Sequence, residues 1–419
     1  MPSFDQLNCI KFVDNLKCCS DDKKWQLTIP SFSHFSGVGK SAVIKAMSFH
    51  AEKILRKSGD SPNHPRVLVC APTGKAASLI GGITLHSCFD FKFGLEHRAL
   101  SDKSLAKFRE NFKHLKLLII DEVSLLGSDM LYKIHLRLCE VLQVNIKNFF
   151  ANISVVLVGD LLQLPPVNAS YVFKKPRNSH FSSDVCSLWD SFEPVILQTN
   201  HRQGEGKTWA KLLNRFREGS ITEEDKEVLK SRVTNDAHLE QDTMHIMYTN
   251  LEVSNHNEEM LKTIEAPLIT IKAKLSGPRP LISKDGRVGS TQFLETLKIK
   301  IGARCVLTWN ISTVDDLVNG SSGTIVGIEF KKLSKDKKVD AIMVSLDDKN
   351  AGQIQRQKYK RLSEKYKSVN GTPIFPHELE CNIPRGKGSS SHEATGKIEQ
   401  HPLRLFWAST AHKMQVSQN

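Results

Sequence analysis

The residue types best suited to chemistry cluster at Gly37-Val38-Gly39-Lys40-Ser41, where glycines precede a lysine and a hydroxyl at the opening of a helix-like stretch, Ala42 to Met47. Backbone N–H groups at a helix N-terminus wrap polyphosphate, and glycines permit the close approach. In such a loop Lys40 reaches the β- and γ-phosphates and the Ser41 hydroxyl binds Mg²⁺. The full pattern asks for a further glycine where this chain has His34, so by itself Gly-Lys-Ser is as readily a chance match. A second segment, Leu117-Leu118-Ile119-Ile120-Asp121-Glu122, is an apolar strand ending in two acids. That order places Asp121 at a metal ion and Glu122 beside an attacking water as general base. A strand ending in surface acids explains this segment equally well in isolation, but much less well behind a phosphate loop. The third segment runs Gly159-Asp160-Leu161-Leu162-Gln163-Leu164-Pro165-Pro166-Val167. The Gln163 amide there can sense a γ-phosphate, and the prolines stiffen the connector that follows.

The elements that would hold these residues are strands and helices in alternation. Arg66 to Ala71, Leu117 to Ile120, Ile153 to Val158 and Pro194 to Leu197 are β-branched or aliphatic runs, and polar or glycine-containing turns and helix-like stretches lie between them. This is the pattern of a parallel α/β sheet, whose ligand site lies beyond the carboxyl ends of its strands. After residue 200 the texture changes. Trp209 to Leu229 reads as helix, with Leu212, Leu213, Phe216 and Leu229 apolar, and His245 to Thr249 then Val253 to Leu261 as one more strand and helix. Short alternating strands at 303–307, 323–328 and 341–346 predict a small β-barrel, and residues 384–400, rich in Gly and Ser, a flexible link.

The 419 residues suit two or three domains of roughly 150 residues each. Fifty-eight Lys+Arg against 45 Asp+Glu leave +13, which favours polyanionic partners. Seven of those charges come from residues 331–370, with 12 cations and 5 acids; a solvated surface segment would look the same. A hydrophobic share of 40% fits a globular chain and excludes global disorder. Apolar runs are far below the roughly 18 to 20 residues of a membrane span, so no membrane association is expected. Nine cysteines with no Cys-x-x-Cys pair read as reduced thiols, and the start has no signal or transit character, so the expected address is intracellular.

Together with Ala71-Pro72-Thr73-Gly74-Lys75-Ala76-Ala77, Thr84-Leu85-His86-Ser87, His201-Arg202-Gln203 and Trp407-Ala408-Ser409-Thr410-Ala411-His412-Lys413-Met414-Gln415, these segments resemble the ordered motifs of the petite-integration-frequency (PIF) type DNA helicases of helicase superfamily one. The resemblance runs from about residue 26 to 419. It implies a P-loop NTPase with two RecA-like parallel-sheet lobes and a small SH3-like β-barrel insertion in the second. The implied boundaries are 1–196 for the first lobe, 197–289 for the start of the second, 290–395 for the insertion with its basic segment, and 396–419 for the continuation of the second lobe. It also implies ATP and Mg²⁺ as cofactors, single-stranded and forked DNA as partners, a monomer, 5′ to 3′ translocation, and work in repair, recombination or telomere maintenance, in the nucleus or the mitochondrion. By the same mapping Gly37, Val38, Gly39, Lys40 and Ser41 hold nucleotide, Ser41 and Asp121 the metal, and Glu122 the water. Gln163 couples nucleotide to motion, and Arg202 contacts the γ-phosphate. Lys75, Thr84, His86, Thr410, His412 and Gln415 fall in motifs that track DNA.

The sequence departs from the family at His34 and Phe35, where the family has glycines, and at Pro30, where a central strand is expected. The family's last motif, whose arginine completes the phosphate site, does not follow Gln415. Such an arginine is worth about 10³ to 10⁵ in rate. An ATP-dependent DNA helicase of this type, whole, truncated or degenerate, is therefore the expectation, and a catalytically impaired single-strand-binding remnant of such a helicase is the alternative. A P-loop switch GTPase is disfavoured because no Asn-Lys-x-Asp segment is present.

Overall fold

The computed structural model describes residues 27–30, 39–59, 61, 64–91, 99–175, 188–195, 207–234, 243–277, 280, 282–283, 285–289, 291–331, 338–383 and 394–414. Two compact units divide the chain, residues 1–234 and 235–419.

The first unit is built on a six-stranded sheet in the order β3-β2-β4-β5-β1-β6, every pair parallel. Its strands are β1 (Leu27–Pro30), β2 (Val67–Ala71), β3 (Ile83–Thr84), β4 (Leu117–Ile120), β5 (Ser154–Leu157) and β6 (Phe192–Val195). All four β4 residues are buried, which is why the strand reads as an unbroken aliphatic run. Leu118, Ile120, Val155 and Leu157 share one core with Leu131, Ile134 and Leu138 of the Ser128–Leu142 helix. Pro30 does not prevent β1 from pairing. It is the last residue of the strand, opposite Val195 of β6. At that position the missing N–H costs at most one bond at the end of the described ladder.

The stretch Trp209 to Leu229 proves to be two helices, Lys207–Glu218 and Glu223–Lys230. Gly219, at φ 74°, makes the break, and Thr222 opens the second helix with a capping box to Asp225. Arg215 donates to both Asp225 oxygens at 2.5 and 2.6 Å and holds that carboxyl well below the usual carboxylate range. Of the apolar positions in this stretch, Leu212 is buried, whereas Leu213 and Phe216 are exposed.

The second unit contains a parallel pair, β7 (His245–Met247) with β18 (Ala408–Thr410). The Asn250–Thr263 helix lies against it. Asn257 joins the two. Its Oδ1 accepts from the Trp407 and Ala408 N–H groups at 2.8 and 2.9 Å, and its Nδ2 donates to the Leu405 and Ala408 carbonyls at 3.3 and 3.4 Å.

The rest of this unit is antiparallel. β8 (Ile269–Lys272) pairs with β10 (Thr296–Ile299). β9 (Lys274–Ser276), β15 (His377–Ile383) and β16 (Ala394–Gln400) form a three-stranded sheet. A five-stranded sheet has the order β14-β13-β12-β11-β17 and uses β11 (Arg304–Leu307), β12 (Ser322–Phe330), β13 (Val339–Leu346), β14 (Gly371–Ile374) and β17 (Leu403–Leu405). The flexible link expected over 384–400 fails at its C-terminal end. Residues 394–400 are β16, hydrogen-bonded on both sides by β15 and β9. Residues 384–393 lie outside the described part.

Candidate active site

The carboxyl ends of β2, β4 and β5 bring three of the sequence motifs together. After β4 the chain turns sharply: Glu122 adopts φ 54°, ψ 51°, left-handed values that cost a non-glycine residue roughly 1 to 2 kcal/mol. Hydrogen bonds on both sides fix this turn. The Asp121 N–H donates to the Cys70 carbonyl at 2.9 Å, the Val123 N–H to the Val158 carbonyl at 3.0 Å, and the Val158 N–H back to Ile120 at 2.8 Å. Strain held this firmly at a pair of acids is characteristic of a working site.

Gly159 completes the fit. A β-carbon on it would come within 2.6 Å of the Val123 nitrogen, so the end of β5 can lie against the Glu122-Val123 backbone only as glycine. The next residue, Asp160, is buried and fully used. Its Oδ1 accepts from the Leu162 N–H at 3.1 Å, its carbonyl from the Gln163 N–H at 3.0 Å, and its Oδ2 pairs with Arg217. The turn carrying Gln163 is thus anchored beside the two acids. Sequence reasoning quoted Asp160 only as part of a motif and missed Arg217 altogether.

Lys40 opens the Lys40–Leu55 helix, whose buried Val43, Ile44, Met47 and Ala51 form its inward stripe. Gly39 precedes it at φ 81°, a conformation that explains a glycine here. Burial pushes the Asp121 carboxyl up, while the Glu122 N–H and the positive charge of Lys40 pull it back. Lys40 and Asp121 therefore share one electrostatic environment. Ser41 follows on the exposed first turn of the helix, and its hydroxyl with the Asp121 carboxylate offers the hard oxygen donors that suit Mg²⁺. Gly37 and Val38, and with them His34 and Phe35, lie outside the described residues.

The residues expected to track DNA fall at comparable positions. Lys75 is in the first turn of the Gly74–Leu79 helix, just past β2, behind the cap made by Thr73. Thr84 ends β3 and caps the Leu85–Phe89 helix, its Oγ accepting from the Ser87 N–H at 3.3 Å and donating to the Ser87 hydroxyl at 2.8 Å. His86 is half-buried with its ring edge-on to Phe91, and burial together with the nearby Lys133 pushes its pKa down. In the second unit Thr410 is the last residue of β18, opposite Met247, and His412 sits in the short Ala411–Met414 helix that follows. Arg202 and Gln415 lie outside the described residues. Among the described residues no group of three or more His, Cys, Asp or Glu could hold a metal ion by itself, and no helix is long and apolar enough to cross a membrane.

A parallel sheet with an acid pair beyond β4 and a Gly-Lys-Ser helix start defines the class, a P-loop NTPase with a RecA-like sheet. Within that class, residues 30–227 match the family model of the PIF1-like helicases, and the resemblance read from the motifs is borne out. The ATP-dependent DNA helicase PIF1 of Emericella nidulans is 27% identical over 411 residues, 92% of this chain, and the ATP-dependent DNA helicase Pif1 of Campylobacter jejuni is 26% identical over 404 residues, 91% of it. The chain spans 53% of the first relative and 79% of the second. A crystal structure of Bacteroides Pif1 helicase in complex with ADP-AlF3 and single-stranded DNA has the same fold, with a TM-score of 0.65 at 20% identity, covering 99% of this chain and 84% of that one.

Proposed function

We propose that this chain is an ATP-dependent DNA helicase that moves 5′ to 3′ on single-stranded DNA and opens forks. The observation that carries the reading is the meeting of Lys40, Asp121, the strained Glu122 and the anchored Gln163 turn at one end of one sheet. The names of the relatives, and the nucleotide analogue and single-stranded DNA in the Bacteroides structure, support it.

Lys40 and the N–H groups of the helix start would hold the β- and γ-phosphates, with Ser41 and Asp121 holding Mg²⁺. Bound there, Mg²⁺ supplies charge neutralisation for the transferring phosphoryl group. Glu122 orients and deprotonates water, and Asp160 keeps Gln163 beside it so that loss of phosphate is felt by the following segment. Arg202 is assigned the γ-phosphate contact, and Lys75, Thr84, His86, Thr410, His412 and Gln415 the DNA strand. A motor must grip any sequence, so these contacts would fall on phosphates and base faces. The lobes and insertion take the boundaries given above, with β11 to β14 serving as the SH3-like part. The protein works as a monomer in the nucleus or mitochondrion.

The deciding experiment is steady-state ATP hydrolysis with and without single-stranded DNA, in the parent and in Lys40→Ala. DNA stimulation that disappears in Lys40→Ala is the expected result. Equal turnover with and without DNA removes the motor reading.

A further inference from the structure

The basic stretch at 353–370 folds as two short helices, Gln353–Lys358 and Lys360–Glu364, inserted between β13 and β14. Neither helix contains a buried residue, so core formation does not explain why the segment is ordered. Polar clamps do. Asp315 accepts from the Ile354 and Gln355 N–H groups at 2.9 and 2.8 Å, and Arg356 donates to the Thr372 hydroxyl at 2.7 Å. At the far end the Tyr366 ring packs against Gly327, where any β-carbon would collide with it, and its hydroxyl donates to Glu329 at 3.0 Å.

These clamps hold open a cavity of about 550 Å³ walled by Arg356, Lys360, Ser363, Glu364, Lys367 and Asn370. Three of these residues are cations and one is an acid. Glu364 reaches Lys360 only at 4.0 Å, and the buried Ser363 Oγ has no hydrogen-bond partner. Other charges of the segment are engaged elsewhere: Lys365 pairs with Glu329 at 3.0 Å, and Lys358 stands 5.4 Å over the Tyr359 ring.

We infer that this cavity is a phosphate-binding site for the backbone of a nucleic acid strand, separate from the tracking motifs. Lys360 and Lys367 supply the charge, and the exposed Asn370 amide a neutral donor. The inference rests on the reading of the chain as a DNA motor and adds to it a second place where the strand is held.

The test is fluorescence anisotropy of the full chain on a labelled single strand and on a tailed duplex across a salt series. Three variants are compared with the parent: Lys360→Gln/Lys367→Gln, the charge-matched Lys358→Gln/Arg361→Gln from the same segment, and Glu364→Gln. Each phosphate contact adds about 0.7 to 0.9 to the slope of log affinity against log salt. Loss of the two cavity lysines should lower that slope by about 1.4 to 1.8. The matched pair should change it less, and Glu364→Gln should tighten binding. Equal effects of the two double variants, or no effect of the cavity pair, would overturn the inference. So would a change confined to inorganic tripolyphosphate binding, which would assign the cavity to a small ligand. A parent that hydrolyses ATP with DNA stimulation while the cavity variant matches it in binding defeats this inference alone. A parent that binds no DNA defeats the motor reading and this inference with it.

Discussion

Arg217 and Asp160, 57 residues apart, form an ion pair at 2.5 Å between side chains that are 14% and 1% exposed. The pair ties the Lys207–Glu218 helix to the turn that carries Gln163.

Removing Arg217 leaves the buried Asp160 carboxylate without its ion-pair partner, at a cost of about 3 kcal/mol. Arg217→Ala should therefore shift the first unit's denaturant midpoint strongly. Asp160→Asn in the Arg217→Ala background should add little. Additivity of the two changes in a double-mutant cycle, to within about 0.5 kcal/mol, would show that the pair is not coupled.

Glu122→Gln keeps the size of the side chain and removes the carboxylate proposed above as the base. Turnover should fall by about 10² to 10⁴ while nucleotide affinity stays near the parent value. A fall in affinity with turnover at saturation unchanged would move Glu122 from the water to the nucleotide.

Asn257→Ala deletes all four hydrogen bonds between the Asn250–Thr263 helix and residues 405–408. Two N–H groups and two carbonyls lose their partner, so the second unit should lose at least about 2 kcal/mol. Hydrogen exchange should rise at the Trp407 and Ala408 amides first. Unchanged protection there would mean that β18 is held by β7 alone.

His401 is buried, and burial lowers its pKa from 6.5 to about 4, with only partial relief from Asp340. The unfolded chain then binds the extra proton between those values, so stability is lost as pH falls from about 6.5 and recovers as pH rises. At pH 5 the loss is about 2 kcal/mol. Melting of parent and His401→Gln at pH 7 and pH 5 checks this: the parent should drop further than the variant. Parallel shifts would remove His401 from the account.

Much of the candidate site was legible because its residues sit where strand periodicity stops. Ile120 is the last of four wholly buried positions, and Asp121 and Glu122 come at once after it. Arg217 was not legible, because in sequence it is one basic residue in a charged helix beside Arg215, which pairs instead with Asp225. Helical spacing cannot separate a buried arginine from its exposed neighbours when the partner lies 57 residues away. The same helix shows that apolar character alone does not mark burial. Leu213 and Phe216 have the character of core residues and stand 40% and 59% exposed. Thr84 was read for DNA contact alone, and its capping bond to Ser87 appears only once β3 and the next helix are seen to meet there. The basic stretch was legible as charge, but its two-helix shape follows from polar clamps to Asp315, Thr372 and Glu329 that no periodicity encodes.

The entry and exit of that stretch are neighbours in one ladder, since Ser345 of β13 pairs with Gly371 of β14. Residues 347–370 are therefore a long hairpin connection, and the five-stranded sheet does not depend on their path for its register. The molecule thus carries seven cations in a connection whose length the ladder leaves unspecified, tied to the scaffold at Ala351 in the core and at Tyr366 against Gly327.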